Sequence, residues 1–212
     1  MGTFDYTKEE IKLFKKLNSP AKIQDYIRKL PFNFEKGGET CMSPRMVIKS
    51  KKAHCMEGAL LAAAILEFHG HLPLIIDLRS AKKPRHDDDH VIAIWKEDGF
   101  YGAISKTNHA VLRYREPVYK SVRELVMTFF HEYFLTNGDK TLREYSDPFD
   151  LTHFNKLQWR TSEKDLFEIP HYLDTLRHHK ILTPKQIKNL RKVDRIEIKG
   201  SWEDEYPKYK KS

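Results

Sequence analysis

The sequence predicts an α+β fold, with helices first, then a run of strands, then helices again. Three observations carry this. Apolar residues recur at three- and four-residue spacing before residue 70 and again after residue 120. Between them, residues 72–78 and 90–95 are strand-length apolar runs, the second rich in β-branched side chains. Asp98-Gly99 then supplies a hairpin turn signal before the returning run at 100–104. With 212 residues, 40% of them hydrophobic and 32% charged, the chain is expected to form a single domain over 1–212. Its core is placed at 30–136, and a C-terminal helical extension at 147–212.

Thr7 and Glu10 stand at capping-box spacing and open a helix that runs to about residue 18. Ser19-Pro20 begins a second, to about residue 30, in which Ile23, Tyr26, Ile27 and Leu30 form one apolar stripe. Ser43-Pro44 begins a short third over 45–50. Residues 52–68 then form an Ala-rich helix entered through Cys55 and stopped at Gly70. Beyond the strand run, 111–115 is expected to be a strand ended by Pro117. Residues 121–136 read as an amphipathic helix closed by Asn137-Gly138, and 147–162 as irregular. Helices follow at 171–179 and 184–192, a strand at 195–199, and a peripheral tail from Trp202. There is no internal repeat.

The net charge of +8 comes from Lys and Arg spread along the whole chain, with no aromatic interleaving, zinc-finger spacing or Gly-rich phosphate loop. It reads as a solvated basic surface, and no nucleic-acid partner is expected. No run approaches the roughly 20 apolar residues of a membrane helix. The first residues lack a signal-peptide layout, and Tyr6 stands where a myristoylation motif has Ser or Thr, so a cytoplasmic protein is expected. Cys41 and Cys55 are too few for a disulfide framework.

Chemistry is expected at Cys55. At the first turn of a helix, free N–H groups and the dipole favour a thiolate. Cysteine chemistry also needs a base and a group to orient it. His90, at the start of a strand 35 residues on, is the candidate base. Asp87, Asp88 and Asp89 precede it and read as a solvated acidic loop. Glu57 is expected to bond backbone or a basic neighbour such as Lys52. His86, His90, His69 and His71 are metal-ligand types, but no metalloenzyme spacing occurs, so neither metal nor cofactor is expected.

Together these residues resemble the transglutaminase-like superfamily, whose core has the papain-like cysteine-protease arrangement. The resemblance covers about 30–104. It rests on the helix entry Thr40-Cys41-Met42-Ser43-Pro44, the helix beginning with Cys55 and carrying Glu57, the exit Gly70-His71-Leu72-Pro73, and the strand from His90 through Trp95. The block from Gly102 to Tyr145 looks like a bacterial branch of that superfamily rather than its crosslinking enzymes.

The resemblance implies a Cys-bearing helix on a small antiparallel sheet, with extra helices at both ends. It implies Cys55 as nucleophile and His90 as base. The family's third residue is usually an Asp. Here Ser105 occupies that position, and Asn108, Asp88 and Asp77 are alternatives for orienting His90. Trp95, Arg113 and Arg115 are candidate substrate-binding residues, the arginines alternatively pairing with Glu116, Glu124 and Glu132. The implied activity is acyl transfer, or hydrolysis of a peptide or small amide, through a thioester. The alternative is a catalytically impaired fold kept as a binding module.

Overall fold

The computed structural model describes residues 5–83 and 85–201. Met1 to Phe4 and the tail from Trp202 lie outside them. The architecture is α+β, built on an open antiparallel sheet.

The predicted helix starts form as their caps dictate. Helix α1 (Lys8–Lys16) opens on the Thr7–Glu10 capping box, with Glu10 accepting from the Thr7 amide at 2.7 Å. Helices α2 (Pro20–Lys29) and α3 (Pro44–Ser50) have Ser19 and Ser43 as caps and proline at the first turn. Helix α4 (Cys55–Phe68) is buried without a break from Met56 to Leu66. A helix apolar on every side must lie inside the protein. It ends in paired reverse hydrogen bonds, His71 N to Leu66 O and Gly70 N to Glu67 O. Gly70 supplies the left-handed φ of +93° that this ending requires.

Strands β1 (Leu74–Ser80), β2 (His90–Glu97) and β3 (Phe100–Ile104) form an antiparallel meander. Asp98 and Gly99 both take positive φ in the turn between β2 and β3. The sheet order is β4-β3-β2-β1-β5-β7, with β6 also pairing with β1. Leu74–Ile76 of β1 and Val91–Trp95 of β2 are continuous apolar runs because both faces of the sheet are covered there. Ile75, Ala93, Trp95 and Ile104 face the α4 side. Ile76, Leu78, Ile92 and Ile94 pack with Leu125, Val126 and Phe129 of α5 (Val122–Phe130).

Several expectations are corrected. Strand β4 is Arg115–Tyr119 and contains Pro117 rather than ending at it. It pairs only with β3, so a residue without an N–H is tolerated at this outer edge. Helix α5 stops at Phe130, short of 136. The chain then folds back through Gly138 into β5 (Leu142–Ser146), which was not anticipated. Residues 147–162 hold the short strand β6 (Phe149–Asp150) and a 3-10 helix (Leu151–Leu157).

The helix expected at 171–179 is α6 (Glu168–Thr175), followed by strand β7 (His178–Lys180). Helix α7 (Pro184–Lys188) is shorter than expected. Residues 195–199 form not a strand but helix α8 (Arg195–Ser201). The Ile-Glu-Ile alternation misled, and the local capping prevails: the Asp194 amide donates to Glu197 at 3.0 Å and Ile198 N to Asp194 O at 3.0 Å.

Helix α4 approaches the chain after β3 very closely at Gly58. A Cβ there would lie 2.3 Å from Lys106 Cβ. Gly58→Ala is therefore expected to lower stability by about 1–3 kcal/mol through overpacking, seen as a reduced urea midpoint at unchanged slope.

Candidate active site

A cleft of about 460 Å³ opens where the start of α4, the start of β2 and the loop after β3 converge. Cys55, His90, Asn108 and Tyr133 are among its lining residues.

Its foundation is Glu57, which is fully buried. Its carboxylate accepts hydrogen bonds from the His54 amide (2.9 Å), the Met42 amide (3.2 Å), the Thr40 hydroxyl (2.8 Å) and Asn33 Nδ2 (3.1 Å). A buried charge survives only when its oxygens are satisfied in this way. Loop 33–42 is thereby tied to the first turn of α4. Of the partners anticipated for Glu57, backbone proves correct, and Lys52 takes no part in this set.

His54 is the residue that sequence reasoning missed. Its Nε2 lies 3.0 Å from the Thr40 carbonyl, 3.5 Å from Glu57 and 3.7 Å from Glu35. A carbonyl only accepts, so Nε2 carries a proton. Burial works against charge on this ring. Hydrogen bonding to Cys55, the charges of Cys55 and Glu57, and the Thr40 carbonyl overcome it and raise its pKa to about 9.

Burial likewise opposes charge on the Cys55 sulfur. Hydrogen bonds from the His54 and His90 rings, with the charges of those rings, reverse the balance and bring the thiol from 9.0 down to about 5. At neutral pH, Cys55 is a thiolate beside the His54 imidazolium. Burial pushes the Cys41 thiol strongly the other way, which leaves it protonated and inert.

His90 Nε2 lies 2.8 Å from Ser105 Oγ, and the Ser105 hydroxyl donates to the Leu112 carbonyl at 2.6 Å. A hydroxyl has one proton. With that proton committed to Leu112, Ser105 must accept from Nε2–H. The tautomer is thus set, and Nδ1 is the nitrogen left for Cys55.

Ser105 is itself held on both sides by Gln24 of α2. Gln24 Oε1 accepts from Ser105 N at 2.9 Å, and Gln24 Nε2 donates to Ser105 O at 2.9 Å. Leu112 sits at a left-handed φ of 61°. Its amide donates to Glu132 at 2.8 Å, and Glu132 accepts from Arg115 at 2.6 Å.

The other anticipated site residues divide. Asn108 lines the cleft, but Ser105 is the residue that meets His90 Nε2. The Asp88 side chain is fully exposed, but the acidic loop is not solvated throughout: Asp87 accepts from the Thr141 hydroxyl, and Asp89 accepts from the Ser80 amide at 2.7 Å and from Lys82 at 2.9 Å. Asp77 lies 3.0 Å from His178, whose side chain is buried on β7. Trp95, Arg113 and Arg115, the candidate substrate-binding residues, are not among the residues that line the cleft.

Trp95 is a core residue, 1% exposed, stacked on Tyr114 and seated over Gly102. An aromatic at an inward strand position is packing first. Arg113 donates to the Ala110 carbonyl at 3.3 Å. Arg115 lies over the Phe129 ring and supports Glu132, the pairing weighed against substrate binding. Among the described residues, no three His, Cys, Asp or Glu side chains are grouped to hold a metal ion, and no helix is long and apolar enough to cross a membrane.

No protein-family model matches the chain, and no curated protein is detectably similar to it. The site is therefore read from its own geometry.

Because the thiolate forms above about pH 5, alkylation of Cys55 by iodoacetamide is expected to accelerate through that pH and level off before neutrality. Its rate should depart from the plateau again as His54 loses its proton near pH 9. His54→Gln removes both a cation and a donor and should move the first rise to higher pH. Mass-spectrometric rate measurement across pH checks both outcomes.

Proposed function

We propose that this protein is a cysteine-dependent hydrolase or acyltransferase acting on a peptide or small amide. In this reading its core is a transglutaminase-like, papain-like arrangement, with Cys55 as nucleophile and His90 as acid and base. The observation that carries the reading is the arrangement of His90. One ring nitrogen is locked on Ser105 and the other is left for a thiol whose pKa is depressed to about 5. Charge, tautomer and nucleophile agree, as acyl transfer requires.

The thiolate attacks the carbonyl carbon and a C–S bond forms, placing negative charge on the carbonyl oxygen. Cys55 is the first residue of α4, whose opening N–H groups have no partner within the helix. Its amide is suited to receive that oxygen. The proton given up by the Cys55 thiol is held on His90 Nδ1, which delivers it to the leaving amine as the C–N bond breaks to give a thioester. Water then gives a proton to His90 Nδ1 and attacks the thioester carbonyl, the C–S bond breaks, and the acid leaves with the thiolate–imidazolium pair restored. Hydrolysis is favoured over amine transfer because, among the described residues, nothing closes over the cleft to exclude water.

Ser105 orients His90 but carries no charge to stabilise the imidazolium. The nearby His54 cation answers a different need, since it holds the resting thiolate.

Activity-based labelling with a peptidyl electrophile and turnover of an amide and thioester panel test the proposal. Cys55→Ala is expected to abolish both. Ser105→Ala should retain labelling but lower turnover by on the order of 100-fold, the low end of what a positioned acid and base contributes. Labelling of Cys55 with no turnover of any acyl substrate would assign the fold to binding instead.

A further inference from the structure

A second concavity, of about 240 Å³, lies away from the cysteine cleft. Six cations line it: Lys83, Arg85, Lys140, Arg143, Arg191 and Lys192. They come from three separate stretches, namely the loop after β1, residues 140–143 leading into β5, and the chain after α7. A solvated basic face needs no such convergence.

The counter-charge is small. Lys192 lies 3.2 Å from Asp139 and Arg191 lies 2.6 Å from Asp194, and Lys140 donates to the Arg191 carbonyl at 2.7 Å. Among the described residues, no carboxylate is within ion-pair distance of Arg143, whose Nη1 donates to the Leu142 carbonyl at 2.9 Å. Arg143 is also partly buried, and that burial works against its charge. Six positive charges with one carboxylate, Asp139, in the wall beside them repel one another, and a partly desolvated guanidinium adds to that cost. An anion in the concavity would offset both.

We propose that this concavity binds a small phosphate ester or polyphosphate carrying at least two negative charges. Guanidinium groups match phosphate oxygens two at a time, and the lysines add mobile point charge. Leu135, Ile187 and Leu190 contribute apolar wall, which suits the organic part of a phosphate ester. The site is compact and has Asp139 in its wall, unlike the extended track that a nucleic-acid backbone follows. The inference stands independently of the chemistry at Cys55.

Calorimetric titration of the full chain with inorganic tripolyphosphate and with ATP, at near-physiological salt, tests it. The expected result is saturable one-to-one binding. It should weaken about tenfold in the exposed pair Lys83→Gln/Arg85→Gln, as for loss of a charge-assisted contact. Arg143→Gln should act alike. Lys12→Gln/Lys15→Gln, on a helix that lines no part of this concavity, should bind like the parent. Absence of saturable binding would overturn the proposal, as would equal weakening by the α1 pair. A DNA duplex that binds more tightly than either probe and loses affinity with the same six residues would overturn it in favour of a nucleic-acid surface.

Discussion

The buried carboxylate of Glu57 is the constraint on which the site depends. It stands on the third residue of α4, where an acid complements the helix dipole, yet its oxygens are spent on groups outside the helix body. Each donor it satisfies would otherwise be a buried polar group costing about 1–3 kcal/mol. Thr40 is held by Glu57 through its hydroxyl and meets His54 through its carbonyl. The same carboxylate that fastens the loop therefore also fixes the ring that charges Cys55.

From there the site is built outward by groups that each have one partner to spare. His90 meets Ser105, Ser105 meets the Leu112 carbonyl, and Leu112 is held by Glu132, which Arg115 neutralises. A carboxylate in place of Ser105 would face that carbonyl oxygen as a second acceptor. The hydroxyl is the chemically consistent choice here, because it can accept on one side and donate on the other. Two histidines share the surroundings of the sulfur: the His54 and His90 rings both lower the Cys55 pKa, and Ser105 fixes which His90 nitrogen is left to face it.

Much of this was legible in the chain. Cys55 announced itself through the Ala-rich helix it begins, His90 through the strand it begins, and Ser105 through its place after the returning strand. The α+β layout followed from periodicity and turn residues. What stayed hidden depended on partners distant in sequence. Gln24 clamps a residue 81 positions away, and no local pattern signals that. His54 was visible beside Cys55, but its role rests on the Thr40 carbonyl. Trp95, Arg113 and Arg115 were assigned by residue type, and burial, a local carbonyl and a local acid claimed them instead. Strands β5 and β7 carry too few apolar residues to declare themselves.

The outer strands have a consequence for the protein's behaviour in concentrated solution. An unpaired sheet edge offers amide and carbonyl groups to any other chain and so invites edge-to-edge aggregation. At one end Pro117 removes a donor from the middle of β4, and the irregular register between Tyr101 and Ala103 breaks the ladder there. At the other end β7 is only three residues long, His178–Lys180, and too brief to template a partner. Neither border presents a long regular row, so the sheet can stay open without becoming a seed for stacking.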